Sequence, residues 1–142
     1  MLTLDEQKSL RKLLIHDEGK RNFIYKDSLG NETVGIGHLC ANGFSDAVVD
    51  LIYSEDWQKV YNFLLKSFDW FCALASNRKL ALISMVFNLG TTRFLKFEKT
   101  IAAFAKRDYH EAAKQMLMSK WAKEVPNRVF ELAKIIETGE LT

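Results

Sequence analysis

The 142-residue chain is 48% hydrophobic and 27% charged, with one proline and seven glycines. That suits one globular domain and excludes a long low-complexity linker or a solenoid of repeats. The net charge of +2 hides an asymmetry: residues 1–72 carry eight Lys/Arg against eleven Asp/Glu, and residues 73–142 carry twelve against seven. Ordinary solvated surface explains those numbers, and so does a basic half that meets a polyanion. No helix-turn-helix, zinc or aromatic-basic pattern accompanies the charge, so nucleic acid is not the expected partner.

In chain order, Thr3-Leu4-Asp5-Glu6 is a capping box, and Leu10, Leu13 and Leu14 continue an apolar stripe, which predicts a helix over Leu4–Glu18 stopped by Gly19. This charged start has no apolar stretch of signal-peptide type, so the expected location is the cytoplasm. "NFIYKD" and "ETVGIGH" flank "SLGN" and read as a hairpin, the one clear sheet signal. After "CANG", Ser45 caps a short helix whose preceding Phe44 staples onto Val49. A longer helix follows, with Trp57, Val60, Tyr61, Leu64, Leu65 and Phe68 as its core face.

From Ser76 or Asn77, "RKLALISMVFNLG" is apolar nearly all round to Gly90, which marks a central buried helix too short to span a bilayer. Phe97, Ile101 and Phe104 form another stripe. Asp108 with Glu111 caps the next helix, and Pro126 opens a last one that stops at Gly139. The fold class is therefore α+β, mostly helical, in one domain of two lobes. The small lobe covers about 19–55, and the helical lobe about 66–142 plus the first helix. Cys40 and Cys72 have no metal-type spacing and read as free buried thiols, with a single bridge between them as the alternative.

The chemistry concentrates in "HDEGKRNFIYKDSLGNETVGIGH". Glu18 falls at a helix C-terminus, where negative potential disfavours ionisation of a carboxyl and favours a general acid. Asp27 opens a turn whose polar setting keeps it ionised, and Thr33 sits on the returning strand. Singly, each is an ordinary surface, turn or strand residue. Together they suit inverting hydrolysis of a glycosidic bond, which needs a protonated and an ionised carboxyl about 6.5–9.5 Å apart with water between them. Thr33 would help hold that water. His38 reads as a structural hydrogen-bond or ion-pair partner, with Glu55 and Asp56 as acidic candidates, and no ligand set for a metal is visible.

"DEG", "IYKDSLGNETVGIGH", "ALISMVFNLG" and "SKWAKEVPNR" occur in the order of the T-even phage-type lysozymes, the endolysins of glycoside hydrolase family 24, and the chain resembles that family over most of its length. The resemblance implies Glu18 as acid, Asp27 as water-positioning carboxylate and Thr33 as supporting hydroxyl. It also implies cleavage of the β-1,4 bond between N-acetylmuramic acid and N-acetylglucosamine in peptidoglycan, with no cofactor. Asn88, Gly37 and Leu39 would meet substrate, Arg128 would steady Glu18, and the missing side chains of Gly35 and Gly37 would let sugar or a neighbouring strand approach closely. The implied setting is a monomer held in an infected cell until a holin-type pore admits it to the wall. A tail-associated lysozyme, a bacteriocin killing domain and an inactive wall-binding module are the alternatives. The segment between "GIGH" and "MVF" is shorter than in the family's phage enzymes, so part of the small lobe and its sheet is expected to be missing.

Overall fold

In the computed structural model, which describes residues 1–141, Thr3 opens helix α1 (Leu4–Glu18) through a complete capping box. Its backbone N–H donates to Glu6 Oε2 (2.7 Å), and its hydroxyl oxygen accepts from the Glu6 N–H (3.2 Å). Gly19, at φ +77°, ends the helix and donates to the Ile15 carbonyl (2.9 Å). The apolar stripe of α1 is not core: none of its residues is buried, and Leu10, Leu13 and Leu14 are exposed. Periodicity marks which residues share a face but not whether that face is covered.

Strands β1 (Arg21–Lys26), β2 (Glu32–Gly35) and β3 (His38–Leu39) form an antiparallel sheet in that order. The hairpin is as expected; β3 is an addition, two residues long and too short to carry an alternating pattern. It pairs Leu39 with Thr33 and His38 with Val34. The reversal between β2 and β3 uses Gly35 (φ +69°) and Gly37 (φ +72°), a region that side chains with a Cβ rarely enter.

One helix, α2 (Asp46–Ser67), replaces the short and long helices expected from Ser45 onward. No glycine or proline lies within it to stop propagation. The expected core face is only partly core: Val60 and Leu64 are buried, Trp57, Tyr61 and Phe68 are half-buried, and Leu65 is exposed. The chain divides within α2 into two compact units, residues 1–51 and Ile52 onward, so that α1 belongs with the sheet.

The second unit is helical. After a 3-10 segment (Asp69–Ala73) come α3 (Ser76–Leu89), α4 (Thr91–Phe94), α5 (Glu98–Ala105), α6 (Tyr109–Leu117), α7 (Lys120–Glu124) and α8 (Pro126–Thr138). α3 buries Ala81, Leu82, Met85 and Val86, and α8 buries Val129, Leu132, Ala133, Ile135 and Ile136. Phe71, Phe94, Phe104 and Trp121 complete this core, while Phe97 and Ile101 pack at its edge. Asp108 accepts from the Glu111 N–H (3.0 Å), as its spacing predicts. Helices α4 and α7, of four and five residues, are shorter than the window in which a 3.6-residue period can be recognised. Both cysteines are free, but neither is buried: Cys40 is half-buried and Cys72 exposed. Cys72 follows Phe71 in the 3-10 segment, and Phe71 takes the inward position.

Arg78 joins the start of α3 to the end of α8. Its Nε donates to the Ile136 carbonyl (2.7 Å) and its Nη2 to the Glu137 carbonyl (3.1 Å), while the guanidinium lies 3.8 Å from the Tyr109 ring centroid. Asn77 Nδ2 donates to the Gly139 carbonyl (2.9 Å). A helix C-terminus leaves its last carbonyls unpaired and carries partial negative charge, so a cation there satisfies both. Arg78→Ala is expected to destabilise the helical unit by about 2–3 kcal/mol, with little recovery in Arg78→Lys, which lacks the planar fork. Urea unfolding followed by tryptophan fluorescence measures this, since Trp57, Trp70 and Trp121 all lie in that unit.

Candidate active site

Glu18, Asp27, Thr33, Gly37, His38 and Leu39 all lie in the first unit. Glu18 is the last residue of α1, where the Gly19 cap releases the chain into β1. Its side chain is exposed and rests on Gly37: a Cβ added there would lie 3.2 Å from Glu18 Cγ and 3.3 Å from Cδ and Oε2. The neighbour at this glycine is therefore the Glu18 side chain, not the sugar or strand expected there. At Gly35 nothing comes within 4 Å, and its positive φ alone requires glycine.

Asp27 follows β1 and closes a five-residue turn on itself. Its Oδ1 accepts from the Leu29 N–H (2.9 Å) and the Asn31 N–H (2.8 Å), and Oδ2 accepts from Asn31 Nδ2 (3.3 Å). Its own N–H donates to the Asn31 carbonyl (2.9 Å). The Asn31 backbone bond leads the causes that hold the Asp27 carboxyl below its ordinary pKa, aided by the Asn31 side chain and the Leu29 and Gly30 amides and opposed by desolvation. Aspartate opens turns through such bonds, so the residue that orients the carboxylate also shapes the hairpin. Asn31 was not singled out in the sequence, although "DSLGN" carries the Asx-turn pattern that would have pointed to it.

Thr33, centred on β2 between Tyr25 and Leu39, is the one buried residue of the unit, 2% exposed, and its hydroxyl donates to the Asn31 carbonyl (3.1 Å). Asn31 thus contacts both Asp27 and Thr33 and couples turn to strand. Leu39 on β3 is exposed. His38 bonds through Nε2 to the Gly43 carbonyl (2.7 Å) and stacks on Phe44 with ring centroids 4.9 Å apart, which ties β3 to the segment leading into α2.

Asn88 and Arg128 belong to the helical unit. Asn88, one residue before the end of α3, has its Oδ1 accepting from Trp121 Nε1 (2.7 Å), so this amide fixes the buried indole. Arg128 is exposed on α8 and lines an open cavity of about 730 Å³ with Trp57, Tyr61, Leu80, Ile83 and Phe87. Among the described residues no three His, Cys, Asp or Glu side chains are grouped to hold a metal ion.

The first unit thus presents a carboxyl at a helix end and a hydrogen-bonded aspartate in a β-turn. The family model for phage lysozyme matches residues 16–134, a span that includes Glu18, Asp27, Thr33, Asn88 and Arg128. The chain belongs to the phage lysozyme family. Two relatives in Dictyostelium discoideum, Probable T4-type lysozyme 2 and Probable T4-type lysozyme 1, are each 28% identical over 94% of this chain and 96% of their own length. The pre-baseplate central spike protein Gp5 of Enterobacteria phage T4 is 25% identical over 94% of this chain and 28% of its own.

Two outcomes follow from this geometry. Gly37→Ala should push the Glu18 carboxyl aside and lower activity by about tenfold or more, whereas Gly35→Ala imposes similar backbone strain in open space and should cost stability with a smaller loss of activity. Assays of both variants beside their melting curves separate the effects. The Asp27 carboxyl, followed by NMR, should titrate below the ordinary aspartate value, and Asn31→Ala should move it only part of the way back because the backbone N–H remains. A depressed folded pKa means that this turn's contribution to stability is present above the unfolded aspartate value and lost as pH falls through the folded one.

Proposed function

We propose that this peptidoglycan hydrolase is an N-acetylmuramidase that cleaves the β-1,4 bond between N-acetylmuramic acid and N-acetylglucosamine with inversion. The observation that supports the reading is the presence in one unit of Glu18, seated on Gly37, and of an Asp27 carboxylate whose ionised form its own turn favours. In the proposed step the Glu18 carboxyl gives its proton to the glycosidic oxygen as the bond to the anomeric carbon breaks. A water attacks that carbon from the opposite face, and its proton passes to Asp27.

Asp27 Oδ1 already accepts two backbone hydrogens, which leaves Oδ2, with one longer bond, as the oxygen with capacity for water. The Thr33 hydroxyl spends its proton on the Asn31 carbonyl, so toward the water it is an acceptor. Leu39 and the Gly37 backbone, in the same unit as both carboxyls, would meet the glycan.

Among the described residues no helix is long and apolar enough to cross a membrane. An endolysin role in phage release, with the protein acting as a monomer after a holin-type pore opens the way from the cytoplasm, accords with the family. A tail-delivered lysozyme is the second reading, favoured by the similarity to the phage T4 central spike protein.

Digestion of purified peptidoglycan should release reducing muramic acid ends, and Glu18→Gln should lower the rate by roughly 10²–10⁴-fold without unfolding the chain. Proton NMR of fresh product should show the α-anomer first. A 1,6-anhydro end would replace this reading by transglycosylation, and no release by folded wild type would leave a binding role.

A further inference from the structure

On the helical unit, α4, α5, α7 and the end of α6 border a second groove of about 460 Å³. Lys96, Lys99 and Lys120 line it beside Arg93. The three lysines are exposed, and none is in an ion pair among the described residues. Glu98 is the acid of the lining. The excess of positive charge is regional: from Gly90 to Glu124 there are eight Lys/Arg against four Asp/Glu.

Three neutral polar groups of the lining are spent inside the protein. Gln115 Nε2 donates to Glu111 Oε1 (2.6 Å), the Ser119 hydroxyl donates to the Met116 carbonyl (2.6 Å), and the Trp121 indole donates to Asn88. Arg93 is engaged through Nη2 by Glu124 Oε2 (2.7 Å), so its charge is partly neutralised within the protein. What remains for a ligand is three compact ammonium groups. Such a surface reads charge density rather than shape and binds phosphate oxygens as point charges.

We propose that this groove holds the phosphates of a linear phosphodiester polymer borne by the bacterial wall, so that the enzyme is retained beside the glycan it cuts. The proposal rests on the reading of the chain as a peptidoglycan hydrolase, which makes the wall the place where it meets a polyanion. Nucleic acid fits less well. The groove's aromatics, Phe97 and Trp121, are half-buried and buried, and offer no platform on which bases could stack.

The test is sedimentation of the full chain with purified walls carrying a glycerol-phosphate polymer, with the same walls stripped of it by acid, and with duplex DNA, each across a salt series. The comparison protein is the triple variant Lys96→Glu, Lys99→Glu, Lys120→Glu, with a Gln triple variant as a milder control. Wild type should bind polymer-bearing walls at least about tenfold better than stripped walls, and the preference should fall steeply with salt, as for counterion release. The Glu variant should lose that preference and the Gln variant most of it, while both keep wild-type rates on stripped peptidoglycan, which shows that the fold and the active site are intact. Equal binding to both wall types, or retention of the preference by the Glu variant, overturns the proposal. So does tighter, lysine-dependent binding to DNA, which would make the groove a nucleic-acid surface. Sedimentation is independent of turnover, so a chain that binds walls in this way but does not cut them refutes the hydrolase reading alone.

Discussion

Asp27 accepts two backbone N–H groups and the Asn31 side chain inside one five-residue turn, and the geometry of the candidate site depends on those bonds. They bring β1 back as β2, set Tyr25 opposite Thr33, and hold a carboxylate ionised on the same residue that shapes the turn. The dependence is strong because the first unit buries no apolar side chain; Thr33 is its one buried residue. Polar bonds and positive-φ glycines position what a hydrophobic core positions elsewhere.

The helical unit follows the opposite logic. Its centre is a continuous apolar cluster from α3, α6 and α8, with four large aromatic side chains fully buried. Polar contacts act at its edges, where Arg78 and Asn77 pair with the carbonyls at the end of α8 and Asn88 holds the Trp121 indole. Close-packed interiors resist displacement. The division places the proposed chemistry on a small hydrogen-bonded frame and the charged groove on a rigid one.

Seen this way, the basic excess of the second half has a location. Many of its lysines are scattered, but Lys96, Lys99 and Lys120 line one groove because α5 with the turn before it and the start of α7 border it. Unpaired ammonium groups gathered in a concavity hold a polyanion more effectively than the same charges spread over a surface.

The sequence by itself determined every element whose signal is local. The Thr3 capping box set the start of α1 and Gly19 its end, "DSLGN" set the hairpin, Asp108 set the start of α6, and Pro126 and Gly139 bounded α8. The three residues proposed for chemistry were legible because they fall in "DEG" and "IYKDSLGNETVGIGH", two of the segments that resemble the family. Tertiary structure decided what depends on neighbours remote in sequence. It left the apolar face of α1 uncovered, merged two expected helices into α2, added β3, gave His38 the Gly43 carbonyl as its partner, and laid Glu18 on Gly37. Periodicity and capping record the preference of a segment for its own conformation. Burial, strand pairing and side-chain contact depend on which other segment arrives opposite, and that is a property of the folded chain.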